Sequence, residues 1–141
     1  MRIDRREYFL EIAQLVAQRS TCLRAQVGAV LVHKNRIVAT GYNGSSPGAK
    51  HCIDPEVGCL EVDGHCIRTI HAELNAILHM EHNYGELELY CTHSPCINCL
   101  KAMITINVKH LYYRIHYPDP GVDKLMFDLK PGKLMITHIL T

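Results

Sequence analysis

The sequence predicts an α/β fold, a three-layer α-β-α sandwich around a mixed five-stranded sheet. Three observations predict it. In the second half of the chain, short apolar runs alternate with segments of helical periodicity. That alternation builds parallel strands joined by crossover helices. In the first half, two apolar runs are separated only by His33-Lys34-Asn35, a spacing that makes an antiparallel hairpin. Finally, 141 residues with 48% hydrophobic content suffice for one domain with a buried core. We therefore expect a single domain over residues 1–141.

Residues 5–19 read as an amphipathic helix, with Tyr8, Phe9, Ile12, Leu15 and Val16 as its apolar stripe. Residues 27–32 (VGAVLV) form a buried-type strand, and residues 36–40 are its hairpin partner. The run Gly41-Tyr42-Asn43-Gly44-Ser45-Ser46-Pro47-Gly48 is dense in turn formers. It serves either as a surface turn or as a backbone cradle close to a nucleotide, with Asn43 reading a sugar or base edge. Residues 51–66 lack periodicity, and Pro55, Gly58 and Gly64 exclude a long helix there. A helix follows over 71–81, then a strand over 87–92 (LELYCT), a helix over 96–106 and a strand over 110–115 (HLYYRI). Residues 123–129 make a short helix. Residues 134–140 make a last strand after the Pro131-Gly132 break.

A formal charge of +1 and the lack of a basic run argue against a polynucleotide partner. No apolar run reaches membrane-spanning length, so no membrane partner is expected. The start, Met1-Arg2-Ile3-Asp4-Arg5-Arg6, has no apolar segment behind it, so no signal peptide is expected. Seven cysteines, an odd number, fit a reducing, cytoplasmic setting.

Chemistry concentrates in His71-Ala72-Glu73 and Pro95-Cys96-Ile97-Asn98-Cys99. Cys96 and Cys99 share a face of one helix turn. Pro95 suits the first turn of that helix, whose N-terminus favours thiolate. His71 and Glu73 converge only at the open end of a helix, with Thr69 as its cap. The metal is therefore expected between two helix N-termini. His71, Cys96 and Cys99 make three zinc ligands. A structural zinc usually takes four, whereas a catalytic one takes three and keeps a place for water. Glu73 is then the proton carrier. The alternative is a structural CxxC knuckle, which lacks an evident fourth ligand. H-x-E followed by P-C-x-x-C is also the signature of zinc nucleobase deaminases.

The stretches RSTCLRAQVGAVLV, GYNG, HAELNAI and SPCINC resemble the deoxycytidylate (dCMP) deaminase family of the zinc cytidine-deaminase superfamily. The segments from HCID to GHCIRTIHAE are similar to its bacterial late-competence-operon branch. HAE and PCxxC belong to the whole superfamily; GYNG and Asn75 are more discriminating. The loop departs from the family's GYNG-x-P-x-G, because Pro47 lies one position later. The resemblance covers residues 5–117. It implies a cytidine-deaminase-like fold, a homo-oligomer, often a hexamer, and regulation by the effectors dCTP and dTTP.

It also implies hydrolysis of dCMP to dUMP and ammonia, supplying dUMP for thymidylate synthesis. Glu73 would take a proton from zinc-activated water, pass it to N3 of cytosine and help the amine leave C4. Backbone near Ala72 and Ser94 would read the base, Asn43 the sugar, and Tyr117 would cover the ligand. Arg24, Lys50, Arg68 and Arg114 are the candidates for phosphate, Arg24 first. Cys91 reads as a buried small hydrophobe. Cys22, Cys52, Cys59 and Cys66, or a neighbouring His, would hold a second, structural zinc; free thiols and disulfides are the alternatives. Cytidine, dCTP, guanine and tRNA adenosine stay open as substrates, as does a non-catalytic zinc-binding role.

Overall fold

The computed structural model describes residues 1–140; the last residue of the expected domain lies outside them. Helix α1 (Arg5–Ala17) starts where the Asp4 carboxylate accepts from the Arg6 N–H at 3.0 Å, a side-chain cap. It ends two residues before its expected end. Its buried face holds Phe9, Leu10, Ala13 and Ala17, while Tyr8 and Leu15 of the expected stripe are exposed. The reason is close approach. A Cβ on Gly28 would strike the backbone of Ala13 and Ala17, so the alanines bring the helix close to β1 while Phe9 and Leu10 fill the core beside them.

Strands β1 (Gly28–His33) and β2 (Arg36–Tyr42) form the expected hairpin. His33 pairs with Arg36, which leaves a turn of Lys34 and Asn35, both at positive φ, the geometry that matches strand twist. The turn-rich loop is partly a strand: β3 (Gly44–Ser45) pairs with β6 (Thr69–Ile70). Within the irregular segment, β4 (Glu61–Val62) and β5 (His65–Cys66) make a hairpin turning at Asp63 and Gly64. Then follow α2 (Ala72–Leu78), β7 (Leu87–His93), α3 (Ile97–Thr105), β8 (Val108–Ile115), α4 (Pro120–Asp128) and β9 (Met135–His138).

The main sheet runs β2-β1-β7-β8-β9. Its first two pairings are antiparallel and its last two parallel, the mixed five-stranded sheet expected. Side chains alternate across it. Val30, Val32, Tyr90 and Tyr112 pack with Phe9 and Leu10 of α1 on one face. Ala29, Leu31, Leu89 and Leu111 pack on the other with Ala72 and Ala76 of α2 and Leu100 and Met103 of α3. Among the described residues no helix is long and apolar enough to cross a membrane.

Two contacts fix α2. A Cβ on Gly41 would fall on the Ala72 carbonyl and the Ala76 nitrogen, so the helix lies directly on β2. Asn75 Nδ2 donates to the Tyr42 carbonyl at 2.8 Å. Gly41→Ala should push α2 off the sheet at about 1–3 kcal/mol, lowering Tm by about 3–10 °C. Thermal denaturation checks this; an unchanged Tm would contradict the close approach.

Candidate metal centre and substrate pocket

His71 is the N-cap of α2 and Cys96 the N-cap of α3, both in extended backbone, and neither side chain caps its helix. Their donor atoms are thus free to face each other. Thr69, expected as the cap, lies in β6 instead. Pro95 precedes the N-cap rather than entering the first turn, because Cys96 takes the cap position. Cys99 follows one turn into α3. Cys96 Sγ and Cys99 Sγ each stand 3.4 Å from His71 Nδ1, and all three donors lie within 4.8 Å of one another. Donors around a tetrahedral zinc would be roughly 3.6 Å apart, from its bond lengths, so the set fits that ion. Among the described residues no fourth His, Cys, Asp or Glu joins this group, which leaves one side open.

Glu73, in the first turn of α2, is 5% exposed. Burial raises its pKa to about 7, against the pull of its own N–H and of His71. Hydrogen bonding with Cys99, and then with His71, holds Cys96 down at about 4. The same contact with Cys96 raises His71, so proton and cation compete for one donor set. Cys91 is 1% exposed on the strand behind, and its thiol is raised by burial and by Glu73.

A residue that sequence reading missed sets the register of α3. Asp119 Oδ2 accepts from the Ile97 N–H at 2.8 Å, and Oδ1 accepts from the Gly121 N–H at 2.9 Å. One carboxylate therefore serves the first turns of both α3 and α4. The Asp-Pro-Gly string was a legible cap signal.

The metal cluster and Glu73 open on a cavity of about 490 Å³. Arg24, Asn43, Ala72, Ser94 and Tyr117 all line it. The Asn43 side chain is buried and spans two backbone groups, accepting from the Val27 N–H at 2.9 Å and donating to the Ala25 carbonyl at 2.8 Å. Ser94 Oγ accepts from the Tyr117 N–H at 2.6 Å, which fixes the exposed Tyr117 at the rim. Lys50, Arg68 and Arg114 do not line the cavity. Arg68 donates to the Gly58 carbonyl at 3.2 Å. Arg114 pairs with Glu7 and Glu11 of α1 at 2.7 and 2.9 Å, across the sheet from the metal cluster. A second cavity, of about 500 Å³, lies beyond residues 117–120 against α4 and β9 and contains neither cysteine cluster.

The second cysteine group gathers Cys22, Cys59 and Cys66, with sulfurs within 4.8 Å of one another. Cys52 Sγ stands 3.7 Å from Cys66 Sγ. All four are free thiols. Burial works against ionising Cys66, yet backbone hydrogen bonds from Arg68 and Leu60 hold it at about 7. Four sulfurs are the donor set of a closed structural zinc site. Neighbouring His51 keeps a buried Nδ1 with no partner. Cys22 and Cys66 also line the catalytic cavity.

Residues 3–115 match the family described as the cytidine and deoxycytidylate deaminase zinc-binding region. The chain is similar to ComE operon protein 2 of Bacillus subtilis, 48% identical over 82% of this chain and 62% of that protein. It is 37% identical to deoxycytidylate deaminase of Schizosaccharomyces pombe, over 78% of this chain and 37% of that one. The chain thus spans less than two thirds of the length of these two relatives. Against the crystal structure of dCMP deaminase from the cyanophage S-TIM5 in complex with dCMP and dUMP, it superposes with a TM-score of 0.79 at 31% identity, covering 99% of both chains.

Purified under reducing conditions, the chain should carry two zinc ions. Cys66→Ser should remove one and His71→Ala the other; a single zinc per wild-type chain, by metal analysis, would eliminate the second site. Asp119→Ala should cost about 1 kcal/mol as a lost cap and speed zinc loss to a chelator.

Proposed function

The chain belongs to the cytidine and deoxycytidylate deaminase family, and we propose that it converts dCMP to dUMP and ammonia. In this reading His71, Cys96 and Cys99 hold zinc and Glu73 carries the proton. One observation carries it: a three-donor cluster and a buried carboxyl share one nucleotide-sized cavity. The end-to-end likeness to a cyanophage enzyme solved with dCMP and dUMP supports the choice of substrate.

Zinc bound by three protein donors supplies Lewis acidity that activates a water for attack on a ring carbon. Two thiolates and an imidazole offset the cation's charge, so that acidification needs a base beside it. Glu73 is that base. Burial holds the Glu73 carboxyl above the ordinary carboxylate range, which strengthens it as a proton acceptor. It passes the proton to N3 of the cytosine ring and then assists the amine leaving C4. Backbone at Ala72 and Ser94 orients the base, Asn43 holds the wall beside the sugar, and Tyr117 shields the mouth.

A single domain over the whole chain, a homo-oligomer of hexameric type and dCTP and dTTP as effectors complete the proposal, supported by the resemblance. Cysteines left free support a cytoplasmic setting.

Glu73→Gln should keep its zinc and lose activity by about 10²–10⁴-fold. The assay is ammonia release across dCMP, cytidine, dCTP, guanine and tRNA adenosine. Near wild-type turnover in the variant would reject the role of Glu73, and preference for another substrate would reject dCMP.

A further inference from the structure

We propose that the second cavity, between α4, β9 and residues 116–120, binds a small organic ammonium ion carried on an apolar body, and that filling it steadies the metal centre through Asp119. The site is independent of which base the catalytic pocket takes.

The cavity, of about 500 Å³, is of ligand size. Val122, Met126, Leu134 and Ile136 make its apolar wall, which suits a ring or a short alkyl chain. Its carboxylates are Asp119 and Asp123, and no Lys or Arg lines it. A phosphate there would meet two acids and no guanidinium or ammonium. The lining therefore selects against nucleotides and for a cation.

The two acids differ. Both oxygens of Asp119 are taken, one by the Ile97 N–H and one by the Gly121 N–H. Asp123 is exposed, and among the described residues it makes no ion pair. Tyr113 lines the same cavity. It is 8% exposed, its ring is stacked on His138 at 4.7 Å, and its hydroxyl lies 3.3 Å from His116 Nδ1. Burial and then the charge of Asp123 raise that phenol, so hydroxyl and carboxylate share one field. With His116 Nδ1 accepting the hydroxyl proton, the Tyr113 oxygen keeps lone pairs free. A carboxylate and a phenol oxygen are then two acceptors for the several N–H groups of one ammonium.

Asp119 lines both this cavity and the catalytic one. It holds the Ile97 N–H, beside the metal donor Cys96, and the Gly121 N–H at the start of α4. A ligand resting on Val122, Asp123 and Met126 pins the first turns of α4. It thereby restrains Asp119 and the register of α3. Asp119 is a positioning residue in this coupling, and binding to the docked form favours that form.

Tryptamine and indole-3-propionate carry opposite charges on one apolar body. In calorimetric titration of the zinc-loaded full chain at neutral pH, tryptamine should bind at least tenfold more tightly than indole-3-propionate. Saturating dUMP should not displace it. Asp123→Asn should weaken it at least threefold, the loss of a charged hydrogen bond partly screened by solvent. Saturating tryptamine should also slow, by about threefold, the phase of zinc release to a chelator that His71→Ala lacks, and should not do so in Asp119→Ala. No saturable binding, any smaller margin between the two indoles, any smaller effect of Asp123→Asn, or displacement by dUMP would overturn the site. An unchanged rate of zinc release, or equal slowing in Asp119→Ala, would overturn the link to the metal centre. None of these measurements uses turnover, so failure to release ammonia from dCMP is a separate result.

Discussion

The whole arrangement depends on two helix N-termini meeting at one rim of the sheet. Two sulfurs must each come to 3.4 Å from one imidazole nitrogen while their helices start from different strands. Backbone, not side-chain bulk, sets that distance. Gly41 lets α2 touch β2, Asn75 ties it to the end of that strand, and Asp119 holds the first turn of α3. Parallel β7 and β8 deliver their carboxyl ends, and the loops after them, to this same rim, where α/β sheets bind ligands. A shift of about 1 Å in either helix would spoil the fit to a tetrahedral ion.

Electrostatics follows from the placement. A buried carboxyl resists ionisation, and Glu73 sits at about 7 for that reason. A cation opposite would favour its charged form, just as the thiolates would oppose it. The outcome is a group whose charge is set by its neighbours and by what lies in the pocket, which suits proton transfer in both directions. The low Cys96 value shows the site favouring one thiolate already.

Much of this was legible from sequence because the chemistry is compressed into short strings. HAE and PCINC each place donors within one helical turn, so only the meeting of the two helices needed the fold. The mixed character of the sheet was also readable, since hairpin spacing implies an antiparallel pair and βαβ alternation parallel ones, whereas the order of its strands needed the fold. Tertiary contacts were less readable. On α1, Phe9, Ile12 and Val16 of the expected stripe do pack on the core, whereas Tyr8 and Leu15 are exposed and the alanines against Gly28 take their place. Arg24 leads Lys50, Arg68 and Arg114 as the phosphate candidate in the sequence, and the fold separates them by position, since of the four only Arg24 lines the cavity. Local pairings such as Glu61↔Cys66 have no periodicity long enough to detect.

That last segment explains why a second sulfur group belongs in this fold. Residues 51–67 leave Ile53, Leu60, Val62 and Ile67 exposed by 46–58%, so apolar burial cannot hold them. Their backbone is ordered by two-residue pairings and isolated hydrogen bonds, each contributing about 1 kcal/mol, less than the entropy of ordering such a stretch. A cation bound by four thiolates contributes on the order of 10 kcal/mol in small zinc domains. It would link Cys22, at the end of the α1 connection, to three points of the loop. The loop beside the cavity would then be held as one body rather than as a flexible flap. On this argument a zinc there would make the wall of the pocket rigid by coordination, where the chain has too few apolar contacts to do it by packing.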